Sequence, residues 1–151
     1  MEALTRIDYQ DVFSVNCPAR ISTTDVLVGF FNSTPNAVRI LMGVRNMLVS
    51  IMGLKTESHR SRLDPSELRP GSRIGLFEIG SITSKTAVVG ADDAHLDFRL
   101  LLDIQNEVLS CTTEVKFNNA LGRIYFFLAK PFHRLIVPAM LKSTMRSLER
   151  S

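Results

Sequence analysis

The sequence predicts an α+β fold: an antiparallel curved sheet, two short N-terminal helices, and a long C-terminal helix packed across the sheet. Three observations predict it. Residues 73–119 alternate apolar and polar in runs separated by short joints. Residues 23–53 and 120–149 instead repeat apolar side chains at three- and four-residue spacing. A short alternating run, 7–16, precedes both. This order is neither doubly wound nor ferredoxin-like. The 151 residues suit one domain over 1–151, long enough to bury roughly 70% of the unfolded surface.

The first strand, 7–16 (IDYQDVFSVN), stops before Cys17-Pro18. A helix over 23–32 starts on Thr23-Thr24-Asp25, good capping residues, and carries Val26, Leu27, Phe30 and Phe31. A second starts at Ser33-Thr34-Pro35, where proline suits the first turn. Val38, Leu41, Met42, Leu48, Val49 and Met52 then recur at helical spacing, and Gly53 ends it. Residues 55–73 are polar with two prolines and read as a surface excursion, the alternative being a lid over a binding site. Strands follow at 73–80, 84–91, 94–104 and 107–118; joints as short as Asp92-Asp93 and Asn106-Glu107 make them antiparallel neighbours. In 94–104, Leu96, Phe98, Leu100 and Leu102 point to the core, while His95, Asp97, Arg99 and Asp103 point away. Cys111 shares inward parity with Leu109 and Thr113 and should resist thiol reagents in the native protein. In the last helix, Leu121, Ile124, Tyr125, Leu128, Phe132, Leu135, Ile136 and Met140 keep helical spacing, so its first half should be buried. Arg123, Lys130 and Arg134 would mark its solvent stripe, and Pro131 and Pro138 should kink it.

Charge and motifs exclude several classes. Eighteen Lys and Arg against fifteen Asp and Glu leave +3, and the basic residues are spread with no aromatic-plus-basic platform, which argues against nucleic acid. Cys17 and Cys111 stand 94 positions apart with no CxxC. That suggests no metal site and reduced thiols of a cytoplasmic protein, a single long-range disulfide being the alternative. The N-terminus lacks an apolar signal region, and the longest uncharged stretch of the front half, 46–54, is too short to span a membrane. No glycine-rich phosphate loop, GxGxxG, GxSxG or HExxH occurs, so NTPases, dinucleotide oxidoreductases, common esterases and zincins fit poorly and no cofactor is implied.

The element order resembles the helix-grip architecture of START-related lipid-transfer domains, the birch-pollen-allergen family and polyketide cyclases. At residue level, DYQDVFSV (8–15), Ser33-Thr34-Pro35, RILMGVRN (39–46), MGLKT (52–56), GADDAHLDFRL (90–100) and NNALGRIYFFLAKPFHRLIV (118–137) look like a bacterial domain-of-unknown-function family, number 2867. The resemblance implies a START-like fold with an undetermined role and hands over no catalytic residue. In such folds the last helix walls a cavity. The expectation is therefore a binding module holding a small hydrophobic molecule between sheet and C-terminal helix, with Phe30, Phe77, Phe98, Phe117, Tyr125, Phe132 and His133 near it.

Three constellations could carry chemistry. Asp92, Asp93, His95, Asp97 and Arg99 are the densest. With a strand beginning at Ala94, His95, Asp97 and Arg99 share a face, where Asp97 could orient His95 as a base and Arg99 stabilise an anion, as in a cyclase- or hydrolase-like enzyme. The cluster could also ligate a metal, or be a solvated face with an ion-pair ladder extended by Glu114 and Lys116. The second is His133 with Tyr125, the third His59 with Arg60 and Arg62, which could neutralise an anionic ligand. A ligand-free structural or interaction domain, such as a homodimer, is the remaining reading.

Overall fold

The computed structural model describes residues 1–32, 46, 65–74, 77–92 and 94–150. Apart from Asn46, which is helical, the second short helix expected from Ser33-Thr34-Pro35 to Gly53 lies outside the described residues, as do the His59, Arg60 and Arg62 cluster and Asp93.

The fold is α+β, an open antiparallel sheet gripped by a long C-terminal helix. Strand β1 is Tyr9–Asn16; after it come helix α1 (Thr23–Asn32), a single 3-10 turn (Pro65–Glu67), β2 (Arg73–Ile74), β3 (Phe77–Ile82), β4 (Thr86–Asp92), β5 (Leu96–Gln105), β6 (Val108–Phe117) and helix α2 (Ala120–Glu149). The sheet order is β1-β6-β5-β4-β3-β2, with every pair antiparallel. Strands β2 to β6 form the expected meander, and β1 returns to pair with β6. The single strand read over 73–80 divides into β2 and β3, paired Ile74 against Phe77.

Local chemistry sets the joints. Asn106 and Glu107 hold φ of 51° and 60°, the pair of left-handed residues that a two-residue hairpin between twisted strands demands. A bulge at Gly80 shifts the β3–β4 register between Ile79 and Ser81. Helix α1 starts in a capping box: Ser22 Oγ accepts from the Asp25 amide at 3.3 Å, and the Asp25 carboxylate accepts from the Ser22 amide at 3.2 Å. Thr23 then donates its hydroxyl to the Thr83 carbonyl, tying α1 to the β3–β4 turn.

The core lies between the sheet and the two helices. Leu100, Leu102 and Ile104 of β5, Leu109 and Cys111 of β6, and Ala87 and Val89 of β4 meet Val26, Leu27 and Phe30 of α1 and Ile136, Val137, Met140, Leu141 and Met145 of α2. Cys17 and Cys111 are both free thiols inside it. Burial first, then the Asp11 carboxylate, pushes the Cys111 thiol up to about 12, which suits the expected inertness to thiol reagents. The helices cross closely where Gly29 meets Thr144.

The first half of α2 corrects an expectation. Leu121, Ile124, Phe127, Leu128, Phe132 and Leu135 are exposed, Phe127 to 77% and Leu135 to 73%. The inward row is Gly122, Phe126, His133, Val137 and Met140, with Leu141, Thr144 and Met145 beyond. In a helix apolar on most of its circumference, spacing alone does not choose the buried face. What chooses it is the start. Asn119 caps α2, its Oδ1 accepting from the Gly122 amide at 3.0 Å, and Gly122 lies against the His95 carbonyl.

A Cβ on Gly122 would penetrate that carbonyl oxygen. Alanine is the better helix former by about 1 kcal/mol, yet the clash is with backbone and cannot relax by a rotamer change. Gly122→Ala should therefore destabilise the fold by about 2 kcal/mol, read as a lower urea midpoint at unchanged m-value. An unchanged or raised midpoint would refute the close packing.

Candidate functional site

The dense polar cluster around β5 does not converge. The strand begins at Leu96, so His95 sits in the bend before it. Its Nδ1 lies 2.9 Å from Asn119 Nδ2, against the cap of α2, and its carbonyl accepts from the Asn118 amide at 2.9 Å. Asp97 accepts from Asn118 Nδ2 at 3.0 Å and lies 4.0 Å from Lys116 Nζ, one rung of the expected ladder. Arg99 turns elsewhere. It is 4% exposed although it lies on the outward parity, because residues 1–2 cover it. Its Nε and Nη2 donate to the Glu2 carbonyl at 3.0 and 2.8 Å, and Nη1 donates to Asp92 Oδ1 at 2.7 Å and to the Phe98 carbonyl at 3.0 Å. Gly90, opposite it in register, leaves room for this side chain. Glu114, the other cross-strand neighbour of Arg99, accepts from Gln10 instead. The three residues thus cap a helix, tie two strands and hold the N-terminal segment to the sheet.

The expected ligand residues fall into two aromatic groups. Phe30, Phe31, Phe77 and Phe98 form a chain with ring centroids 5.5, 5.5 and 5.1 Å apart. Phe117 meets Phe126 at 5.8 Å, Phe126 meets Tyr9 at 4.6 Å, and His133 edges both Tyr9 and Phe126 at 6.5 and 6.3 Å. Tyr125 is half-buried and Phe132 turns outward, so neither joins these groups. An open cleft of about 340 Å³ lies apart from both, between α1 (Asp25, Val28, Asn32), Pro65 and the end of α2 (Ser147, Leu148).

The second aromatic group encloses a polar cluster. On β1, inward parity brings Tyr9, Asp11, Phe13 and Val15 under α2, so a carboxylate enters an otherwise apolar row. Asp11 stands opposite Thr113 of β6, which is 2% exposed. His133 descends from α2 seven residues after Phe126, with Nε2 3.2 Å from Asp11 Oδ2. Tyr9 donates its hydroxyl to that same oxygen at 2.6 Å, and Lys130 Nζ lies 5.1 Å above the Tyr9 ring. Three buried polar atoms here have no hydrogen-bond partner among the described residues: Asp11 Oδ1, Thr113 Oγ1 and His133 Nε2, whose approach to Asp11 is close but off hydrogen-bond geometry. Each such atom costs about 1–3 kcal/mol when left unsatisfied.

Burial governs the protonation of this cluster. Desolvation lowers the His133 pKa against the opposing pull of Asp11, so the ring is neutral near pH 7. Desolvation first, then the bond to Asp11, raises Tyr9 to about 12 and keeps its proton in place. A carboxylate, a neutral imidazole and a hydroxyl can together hold one donor-acceptor group such as an alcohol. Among the described residues no three His, Cys, Asp or Glu side chains gather to hold a metal ion. Sequence reasoning found His133 but missed Asp11, Tyr9 and Thr113. The signal lay in the inward parity of Asp11 between two aromatics, and in the seven-residue step from Phe126 to His133.

With its pKa below 6.5, folded His133 binds fewer protons than the unfolded chain as pH falls past 6.5, so the fold loses stability on acidification. His133→Gln should flatten the fall of the urea midpoint between about pH 6.5 and 5. An equally steep acid limb in the variant would place the titration elsewhere.

The family described as "Protein of unknown function (DUF2867)" matches residues 3–140. No curated protein and no solved structure matches the chain.

Proposed function

The chain belongs to the DUF2867 family, whose description names no activity, and we propose that it is a cytoplasmic binding module for a small apolar molecule bearing one hydroxyl or amino group. The ligand lies between sheet and α2, its polar end against Asp11, Thr113 and His133 and its body along the aromatic side chains. One observation carries this reading: three buried polar atoms without a hydrogen-bond partner among the described residues, on paired Asp11 and Thr113 and on His133 beside Asp11, lie next to the Tyr9, Phe117 and Phe126 rings. Sites of this kind are apolar with a few polar groups that fix orientation. A ligand hydroxyl donating to Asp11 Oδ1 and accepting from the Thr113 hydroxyl satisfies both, and the neutral His133 ring adds no charge that an apolar ligand would have to offset.

Catalysis on the same frame is the second reading, and the observation favouring it is the proximity of a neutral imidazole to a carboxylate, 3.2 Å, the residue types of a base and its orienting partner. That reading moves the reactive pair from His95 and Asp97 to His133 and Asp11.

The test is saturation-transfer NMR with a panel of apolar alcohols and phenols, each beside its deoxy counterpart. At least one alcohol should bind about tenfold more tightly than its counterpart, the worth of one hydrogen bond in a dry site. Asp11→Asn and Thr113→Val should each reduce that preference. Binding by no alcohol, or a preference intact in both variants, would overturn the proposal. Chemical conversion of the bound compound, lost in His133→Ala, would install the enzyme in place of the carrier.

A further inference from the structure

Helix α2 is used on both sides, and only one side is accounted for by the core. Its inward row packs on the sheet and α1, while Leu121, Ile124, Phe127, Leu128, Phe132 and Leu135 form a continuous outward stripe over four turns. Taken at their exposed fractions these six side chains present about 600 Å² of apolar surface, the upper end for the largest patch on a soluble monomer. Charge indicates what covers it. From Ala120 to Leu148 the helix carries five basic residues, Arg123, Lys130, Arg134, Lys142 and Arg146, and no acidic one. Arg134 flanks the stripe, and Lys142 and Arg146 continue the same outward face beyond it, all three exposed.

We propose that this face of α2 docks on an anionic lipid surface, the apolar stripe entering the headgroup boundary and the basic residues meeting lipid phosphates. The pattern is that of an interfacial helix, apolar on one face with Lys and Arg beside it. An 18-residue window of α2 reaches a mean hydropathy of 1.2, but a third of it (33%) is buried against the rest of the chain. The helix cannot cross a bilayer without surrendering Phe126, Val137 and Leu141 from the core, so it lies along the surface. A second copy of the chain is the competing occupant. Two such helices packed stripe to stripe would bring cations together with no carboxylate before Glu149 to compensate.

The full chain is tested by co-sedimentation with vesicles of phosphatidylcholine, alone and with one quarter phosphatidylglycerol. Binding should favour the anionic vesicles and weaken as salt rises. Phe127→Glu and Leu135→Glu, both at exposed positions that leave the core intact, should each lower the partition coefficient at least about tenfold. Lys142→Glu should lower binding to anionic vesicles while leaving binding to neutral ones unchanged. No binding to either vesicle, or stripe variants that bind as the parent does, would overturn the proposal. So would a dimer in sedimentation velocity that Phe127→Glu dissociates without any vesicle binding, since the stripe would then belong to a second copy.

Discussion

The position of α2 depends on one contact, the seat of Gly122 on the carbonyl of His95. Nothing larger than hydrogen fits there, so the helix axis comes as near to the sheet as backbone allows. Asn119 completes the joint by capping the helix with its carbonyl oxygen while its amide nitrogen reaches His95 Nδ1 and the Ala94 carbonyl. Once this end is fixed, the helical repeat carries Phe126, His133, Val137 and Met140 inward in sequence, and the second half of the helix meets α1 at Gly29. A rotation by one residue, about 100°, would take His133 off Asp11 and bring the outward stripe onto the sheet.

The interface that this joint creates is largely apolar, and β1 contributes a carboxylate to it, Asp11. A carboxylate in such a place is tolerated through its neighbours: Tyr9 donates a strong hydrogen bond, and the Lys130 ammonium sits over the Tyr9 ring. The Tyr9 hydroxyl satisfies one carboxylate oxygen, and the other has no hydrogen-bond partner among the described residues. The protonation pattern follows the same logic, since a dry surrounding keeps both the Tyr9 proton on and the His133 proton off. A polar knot of this kind gives the sheet-helix interface direction, so that whatever occupies it must present hydrogen-bonding groups at one end.

Much of the architecture is legible in the residues, for identifiable reasons. Helices α1 and α2 fall at 23–32 and 120–149 as read, and four of the meander strands lie within a few residues of expectation, because apolar period and turn residues agree there. Register with β1 was not legible, since pairing across most of the chain leaves no local mark. The site was partly legible. Thr113 reads as one more inward strand position, and Asp11 reads as a surface residue unless parity is weighed above polarity. The sense of α2 was hidden by excess: Leu121, Ile124, Leu128, Phe132 and Leu135 make as regular a stripe as the buried one. Arg99 shows the opposite failure, an outward residue that becomes buried because the N-terminal segment crosses it.

The pairing of β1 with β6 has a kinetic side. Gln10 meets Glu114 and Ser14 meets Ser110 across separations of 104 and 96 residues, whereas β3 to β6 are joined by tight hairpins. Closing so long a loop costs more entropy than closing a hairpin, and the contacts that repay it come only after the meander exists. Strand β1 is therefore a late strand to arrive, and it lies at one edge of the sheet with β6 as its neighbour. Because Tyr9 and Asp11 travel with it, a local opening of that edge would bare the polar cluster while the hairpins stay closed, a doorway made from the order of assembly itself.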